Sequence, residues 1–353
     1  MLHCDTSRRM AQAVLWPSSP MSGKERERTM GKDVLVLTWK YFSAREEIQR
    51  FLAERGCRFV EREIRYPVDE DQLCELVRDI DGLVVGLEPV TARVLSCANR
   101  LKVISTSGVG YDNIDVAEAT RRGIVVSNCH GANEHSVAEL AFGLMLSLAR
   151  RIHGSDRAMR QGRWEPYFGV ELWGKTLGVV GLGRTGRAVA LLGRGFGMRV
   201  LAHDIVWDTT FANAHEISYV PLDKLLRESD FVSLHVPLTP ETRYLIDERA
   251  LALMKPTAFL INLARGPVVK QSALVEALRR GQIAGAGLDV FEVEPIRDNP
   301  FIEFENVVMT PHLGGSTQEA RERTLYLALT NVCNVLNGRP PHAQVNPEVR
   351  LGW

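Results

Sequence analysis

The segment KTLGVVGLGRTG, residues 175–186, decides how this chain is predicted to fold. Its first half is an apolar run that predicts a buried strand, and the residues that follow it, 187–196, are predicted to be helical. Between strand and helix stands the pattern G-x-G-x-x-G, formed by Gly181, Gly183 and Gly186. These glycines permit a tight turn, the close approach of a pyrophosphate and close packing of helix on strand. The segment therefore predicts the phosphate-binding turn of a dinucleotide-binding domain.

The next predicted strand ends in an acidic residue. Asp204 lies 18 residues after Gly186, close to the spacing of about 20 that is typical of such domains. A carboxylate at this position accepts hydrogen bonds from the adenosine ribose and repels a 2′-phosphate. The pattern therefore favours NAD over NADP as the cofactor.

Strand-like and helix-like stretches alternate on both sides of this segment. Two longer amphipathic stretches, residues 133–151 and 317–336, predict helices, and the last is expected to return to the first half of the chain. Buried runs separated by helices are typical of parallel sheets that are covered on both faces. The fold class that we expect is α/β, with two doubly wound parallel-sheet (Rossmann-like) domains and a cleft between them. The strand-like runs are 34–37, 83–85, 102–104, 123–126, 176–180, 199–201, 231–234, 258–261, 284–288 and 307–309.

The composition excludes several classes of protein. The 353 residues include 43 Lys or Arg and 43 Asp or Glu, so a basic surface for nucleic acid is not expected. Apolar residues make up 45% and charged residues 24%, which is typical of a globular chain with a large core. No run approaches the roughly 18 apolar residues of a membrane helix. We therefore expect a soluble protein with no membrane or nucleic-acid partner.

The six cysteines form no C-x-x-C pair and lie near no cluster of histidines, so neither a metal site nor a disulfide framework is predicted. Reduced thiols are typical of the cytoplasm, which is the compartment that we expect. Residues 1–30 contain proline, serine and clustered charges where a signal peptide would need an apolar run. This segment is expected to be a disordered extension.

Charged side chains follow three of the predicted strands. Arg265 follows the run 258–261, Glu294 comes soon after 284–288, and His312 follows 307–309. Because the carboxyl ends of parallel strands meet at one edge of the sheet, where such folds bind ligands, these groups should converge. An unperturbed imidazole titrates near pH 6.5 and is therefore suited to proton transfer near neutral pH. The pattern predicts an active site beside the dinucleotide.

Together with the runs 235–242 and 311–317, these segments resemble the D-isomer-specific 2-hydroxyacid dehydrogenase family, most closely its phosphoglycerate dehydrogenase branch. The resemblance covers nearly all of residues 34–336. It implies that Arg265 holds the substrate carboxylate and polarises the reacting carbonyl. It also implies that His312 is the acid/base of an NAD-dependent hydride transfer and that Glu294 is its carboxylate partner.

The resemblance also implies the domain organisation and the binding residues. Residues 31–128 plus 313–346 would bind substrate, residues 129–312 would bind NAD, and a homodimer would form around the bridging helical region. The backbone of Ser107, Gly108 and Val109 would face the substrate carboxylate. The residues implied in NAD binding are Gly181, Gly183, Arg184, Thr185, Gly186, Asp204, Val236, Pro237, Leu263 and Asp289, with His235 lining the cofactor side.

The substrate is left open among related acids. The leading expectation is D-3-phosphoglycerate, which would place the enzyme in serine biosynthesis. Residues 86–89, Gly-Leu-Glu-Pro, lack an arginine that some phosphoglycerate enzymes carry there, and phosphate recognition favours Arg or Lys donors. A glyoxylate or hydroxypyruvate reductase is the alternative enzyme. An alternative of another class is an NAD-sensing corepressor that binds partner peptides.

Overall fold

A computed structural model describes residues 32–38 and 45–350, so the extension predicted at residues 1–30 lies outside the described residues. The first sheet has five strands, each parallel to its neighbours, in the order β2-β1-β3-β4-β5. The strands are β1 (Asp33–Val36), β2 (Arg58–Val60), β3 (Gly82–Val85), β4 (Val103–Thr106) and β5 (Val125–Ser127). The intervening helices are α1 (Arg45–Ala53), α2 (Glu70–Leu76), α3 (Ala92–Cys97) and α4 (Val116–Arg121).

Two helices, α5 (Glu134–Ala149) and α6 (Ile152–Arg160), lead to a second parallel sheet of seven strands in the order β12-β11-β10-β9-β6-β7-β8. Its strands are β6 (Thr176–Val180), β7 (Arg199–His203), β8 (Ile217–Tyr219), β9 (Phe231–Leu234), β10 (Phe259–Asn262), β11 (Gly285–Leu288) and β12 (Val307–Met309). Its helices are α7 (Arg184–Gly195), α8 (Thr209–Ala214), α9 (Leu222–Glu228), α10 (Glu248–Leu253) and α11 (Gln271–Arg279).

Two long helices connect the sheets. α5 packs against α7 and the strands β10 and β11 of the second sheet, whereas α12 (Gln318–Leu336) returns to pack on β3 and β4 of the first. The strand residues of both sheets are buried almost throughout because helices cover both faces. The chain therefore crosses between the sheets before α5 and again before α12, and the carboxyl edges of the two sheets border a cleft.

The fold class predicted from the sequence, two parallel-sheet α/β domains, is confirmed. The sequence missed β2 and β8, which are three-residue edge strands with partly exposed side chains and thus lack a clear apolar run. The helix expected from residue 187 begins earlier, at Arg184, directly after the glycine turn. Within the part of the chain that the structure describes, no helix has the length and apolar character needed to span a bilayer.

Candidate active site

The glycine turn lies at the switch point of the second sheet, where β7 and β9 flank β6 on opposite sides. Gly181 has a φ of +93°, and a Cβ at this residue would lie 2.7 Å from the backbone of His235. Gly183 caps α7 without a side-chain hydrogen bond, and no acidic residue stands in the first helical turn. The partial positive charge of the first N–H groups of α7 is therefore not compensated within the helix and is available to an anion.

The residues around this turn fit a bound dinucleotide. Asp204 follows β7, and its carboxylate accepts hydrogen bonds from the backbone N–H groups of Leu182 (2.6 Å) and Val206 (3.1 Å). The Nδ1 atom of His235 is buried and has no hydrogen-bond partner among the described residues, while Nε2 contacts Ser233 Oγ at 2.8 Å. A buried polar atom without a protein partner beside the glycine turn is available to contact a ligand.

The other residues implied in NAD binding lie along the same carboxyl edge of the second sheet. Arg184 and Thr185 open α7, Val236 and Pro237 follow β9, and Leu263 follows β10. They therefore lie at the carboxyl ends of β6, β9 and β10, which are neighbours in the sheet. The residues whose NAD contacts were expected from separate parts of the sequence thus share one edge, and Asp289, which follows β11 directly, is buried there.

His312 and Glu294, which the sequence predicted to converge, form a hydrogen-bonded pair. The Nδ1–H of His312 donates to Glu294 Oε2 at 2.6 Å, and Glu294 Oε1 accepts from the backbone N–H of Phe291 at 2.9 Å. Burial raises the pKa of Glu294, but the hydrogen bond and charge of His312, the Phe291 N–H and the charge of Arg265 outweigh it and lower the pKa. Glu294 is therefore an anion at neutral pH. It orients the ring and leaves Nε2 as the nitrogen that can exchange a proton.

Asp289 holds the turn on which His312 sits. Its side chain is 1% exposed, and its carboxylate accepts hydrogen bonds from Thr310 Oγ1 (2.6 Å), Leu313 N (2.6 Å) and Gly314 N (2.8 Å). These bonds close around His312, which has the left-handed φ of +54°. Burial raises the pKa of Asp289 against these bonds, which favour its charged form. The carboxylate thus fixes a strained turn.

Arg265 reaches the same edge from the loop after β10. The amide of Asn262 shapes this loop, because its Nδ2 donates to the Arg265 carbonyl (3.0 Å) and its Oδ1 accepts from Ala264 N–H (3.0 Å). The guanidinium Nη1 donates to the Ala264 carbonyl (2.8 Å), and Nε donates to Asp112 Oδ1 (2.7 Å), which follows β4 of the first sheet. Arg265 therefore spans the cleft between the two sheets.

The loop after β4 presents backbone donors. The carbonyl of Gly108 accepts from Cys129 N–H (2.8 Å), and the carbonyl of Val109 accepts from Asn128 Nδ2 (2.8 Å). Ser107 N–H donates to the Val85 carbonyl, whereas the N–H groups of Gly108 and Val109 have no acceptor among the described residues. With Arg265 beside this loop at Gly110, these donors are able to bind a small carboxylate.

Sequence reasoning assigned no role to two residues that shape this site, Asn262 and Asp112. The signal for Asn262 was available, since an Asn that ends a strand often bonds the backbone two or three residues later. No sequence pattern indicated a role for Asp112, because its partner Arg265 is 153 residues away in the sequence. Glu292, another acid near the predicted site, accepts from Gln271 N–H (2.8 Å) at the start of α11.

Comparison with known proteins agrees with this geometry. The family model "D-isomer specific 2-hydroxyacid dehydrogenase, NAD binding domain" matches residues 142–314. A glyoxylate reductase from Korarchaeum cryptofilum is 44% identical over 86% of this chain and 96% of its own length.

Solved structures show the same likeness. A glyoxylate reductase from Paecilomyes thermophila superposes with a TM-score of 0.80 at 30% identity, over 90% of this chain and 99% of that one. A D-lactate dehydrogenase from Aquifex aeolicus, in complex with NAD and lactic acid, gives 0.77 at 30% identity, over 89% and 99%. The chain therefore belongs to the D-isomer specific 2-hydroxyacid dehydrogenase family and is an NAD-dependent oxidoreductase that acts on CH–OH groups.

Proposed function

We propose that the protein reduces small, unphosphorylated 2-oxo acids such as glyoxylate and hydroxypyruvate, and that D-3-phosphoglycerate is not its substrate. The observation that carries this proposal is the position of Glu88. Its Oε2 accepts from the backbone N–H of Gly86 at 2.6 Å, just beyond β3 at the carboxyl edge of the first sheet. A fixed carboxylate at this edge repels the phosphate of a phosphorylated substrate.

The loop that carries Glu88 borders the predicted carboxylate-binding loop. Asn113 Nδ2 donates to the carbonyls of Gly86 (3.2 Å) and Glu88 (2.8 Å), and Ser107 N–H donates to the carbonyl of Val85 at 2.7 Å. The names of the relatives agree with an unphosphorylated substrate, since curated relatives in several archaea are called glyoxylate reductase. The phosphoglycerate assignment and its place in serine biosynthesis have no such support.

The chemistry follows from the acid–base pair and the arginine. Arg265 and the N–H groups of Gly108 and Val109 bind the substrate carboxylate and hold the carbonyl in place. When bound, NADH supplies the hydride that reduces C2 of the oxo acid. Protonated His312 donates the proton to the carbonyl oxygen from Nε2, and Glu294 stabilises the imidazolium through Nδ1. Oxidation of the hydroxy acid uses the same groups in reverse.

Cofactor binding is assigned to the residues around the glycine turn. Its glycines, Gly181, Gly183 and Gly186, with Arg184 and Thr185, hold the pyrophosphate. Asp204 accepts from the adenosine ribose and opposes a 2′-phosphate, which favours NAD over NADP. Val236, Pro237, Leu263 and Asp289 complete the nicotinamide side.

The domain assignments follow the two sheets. Residues 31–128 plus 313–346 bind the oxo acid, and residues 129–312 bind NAD. A homodimer forms around the bridging helix α5 and the segment 152–173 that follows it, where large apolar side chains are exposed to an extent unusual for a free surface, with Phe168 99% and Trp164 84% accessible. A second copy of the chain would cover them.

The experiment is a comparison of kcat/KM for NADH oxidation with glyoxylate, hydroxypyruvate, pyruvate and 3-phosphohydroxypyruvate. We expect hydroxypyruvate to exceed its phosphorylated form by about tenfold or more, and Glu88→Gln to narrow this ratio. The matched control is Glu303→Gln, which removes a carboxylate paired with Arg279 outside the site.

A wild-type preference for the phosphorylated acid would contradict the proposal. NADH binding without reduction of any acid in the panel would favour the corepressor alternative. A ratio that Glu88→Gln and Glu303→Gln leave equally unchanged would show that Glu88 has no part in selecting the substrate.

A further inference from the structure

The ion pair between Arg265 and Asp112 joins loops from different sheets. Arg265 follows β10 of the second sheet and Asp112 follows β4 of the first, and their Nε and Oδ1 atoms are 2.7 Å apart. The Arg265 side chain is 24% exposed and that of Asp112 is 41% exposed. The pair lies at the rim of the cleft, where exposed ion pairs contribute little to folding stability. A contribution to folding stability therefore does not explain why this ion pair lies beside the site.

The contacts of Arg265 leave one side of its guanidinium available. A guanidinium has five N–H donors, and here Nε donates to Asp112 while Nη1 donates to the Ala264 carbonyl. Nη2 lies directly against Gly110, so closely that a Cβ on this glycine would collide with it. The remaining Nη donors can still form the paired hydrogen bonds by which arginine recognises a carboxylate.

We propose that Asp112 is a positioning residue that fixes the guanidinium of Arg265 for the substrate carboxylate. Because the two residues come from loops of different sheets, the arginine reaches its final orientation only when these loops meet across the cleft. The inference rests on the proposed function and assigns Asp112 to the same site. Its carboxylate acts through Arg265, and Gly110 is required because a side chain there would displace Nη2.

Four variants test the inference. Asp112→Ala removes the acceptor, Asp112→Asn retains one acceptor oxygen without the charge, and Gly110→Ala displaces the guanidinium without changing any charge. Asp223→Asn is the control, because it removes a carboxylate that pairs with Arg249 at 2.6 Å on the surface. For each variant, KM and kcat for glyoxylate, the Kd of NADH, the Kd of oxamate for the NADH complex and Tm are measured.

We expect Asp112→Ala to raise KM for glyoxylate and Kd for oxamate by about tenfold or more, since a small misplacement of a binding group is costly. Asp112→Asn should fall between this variant and the wild type, and Gly110→Ala should show the same loss of carboxylate binding. The Kd of NADH should be unchanged, and Tm should fall by less than about 3 °C. Asp223→Asn should match the wild type in carboxylate binding.

Oxamate and glyoxylate binding that stays unchanged in Asp112→Ala would overturn the inference while the proposed function stands. An equal loss of NADH binding and carboxylate binding would also overturn it, because it would show general damage to the fold. If the wild type neither reduces any oxo acid nor binds oxamate, the proposed function itself fails, and the inference fails with it.

Discussion

The carboxyl edges of the two sheets are built in different ways. At the second sheet, two carboxylates fix the turn that carries the imidazole: Glu294 accepts from His312 Nδ1, and Asp289 accepts from Thr310 Oγ1 and from the backbone N–H groups of Leu313 and Gly314. At the first sheet, the loop after β4 presents backbone N–H groups, and two charged side chains stand beside them: Asp112 in the same loop and Glu88 in the loop after β3. In the proposed function, the edge of the second sheet carries the proton transfer, and the edge of the first sheet selects the oxo acid.

The largest effect is expected from a substitution of His312, the partner of Glu294 at the carboxyl edge of the second sheet. His312→Ala removes the proposed acid–base group, so kcat should fall by about 10²–10⁴-fold. The Kd of NADH should be almost unchanged, because the glycine turn lies elsewhere on the edge. Stopped-flow turnover and NADH fluorescence titration measure the two quantities separately.

The matched control is His153→Ala, which removes an imidazole on α6 that contacts Ser147 Oγ on α5 and the carbonyl of Glu305 before β12. It should retain the kcat of the wild type. An equal loss of turnover and NADH affinity in His312→Ala would mean that His312 supports the fold and not the proton transfer.

A smaller effect is expected when the support beneath His312 is removed. Asp289→Ala deletes a buried carboxylate with three hydrogen bonds, so the free energy of unfolding should fall by about 3–5 kcal/mol. Because the turn loosens, kcat should fall by about tenfold or more. If Asp289 also contacts the nicotinamide, as proposed, the Kd of NADH should rise. Urea denaturation and steady-state kinetics provide the measurements.

An aspartate at the opposite edge of the same sheet provides the control. Asp230 precedes β9, accepts from Thr176 N–H at 2.8 Å and pairs with Lys255 at 2.8 Å. Asp230→Ala should also destabilise the protein, but it should leave kcat unchanged because no catalytic group is near. A loss of stability without a loss of kcat in Asp289→Ala would show that the turn does not depend on this carboxylate.

The second edge was largely predictable from the sequence, whereas the first was not. Glycines before a helix and charged residues after buried strands are local patterns, and they identified the turn at Gly181 and the convergence of His312 with Glu294. The left-handed backbone of His312 left no such pattern. It depends on Asp289, 23 positions earlier in the chain, whose bonds form only after β11 and β12 pair.

The first edge depends on contacts between distant parts of the chain. Asp112 and Arg265 meet only because two sheets fold separately and then face each other, and no periodicity in the sequence records that approach. The hydrogen bond from the Gly86 N–H to the Glu88 carboxylate likewise depends on the conformation of the loop after β3. The sequence shows that this loop lacks an arginine, but only the structure shows that the Glu88 carboxylate is held in a fixed position.

The smallest expected effect is a pH dependence of stability that arises at His235, which follows β9 beside the glycine turn. Burial lowers the pKa of this imidazole to about 3, although part of the residue remains accessible and Nδ1 lacks a partner among the described residues. In the unfolded chain a histidine titrates near pH 6.5. Between these values the unfolded state binds a proton that the folded state does not, so stability should decrease as pH falls below about 6.5.

As the pH falls from 7 to 5, protonation of His235 in the unfolded chain should reduce the free energy of unfolding by about 1–2 kcal/mol. His235→Asn keeps a polar side chain that does not titrate, so its stability should decline less over this range, while His153→Ala should decline as the wild type does. Urea denaturation at pH 7, 6 and 5 measures the difference. Equal slopes in wild type and His235→Asn would show that the ring accepts a proton in the folded state. In that case the unpartnered Nδ1 would be hydrated, and the second edge would be more open at His235 than at His312.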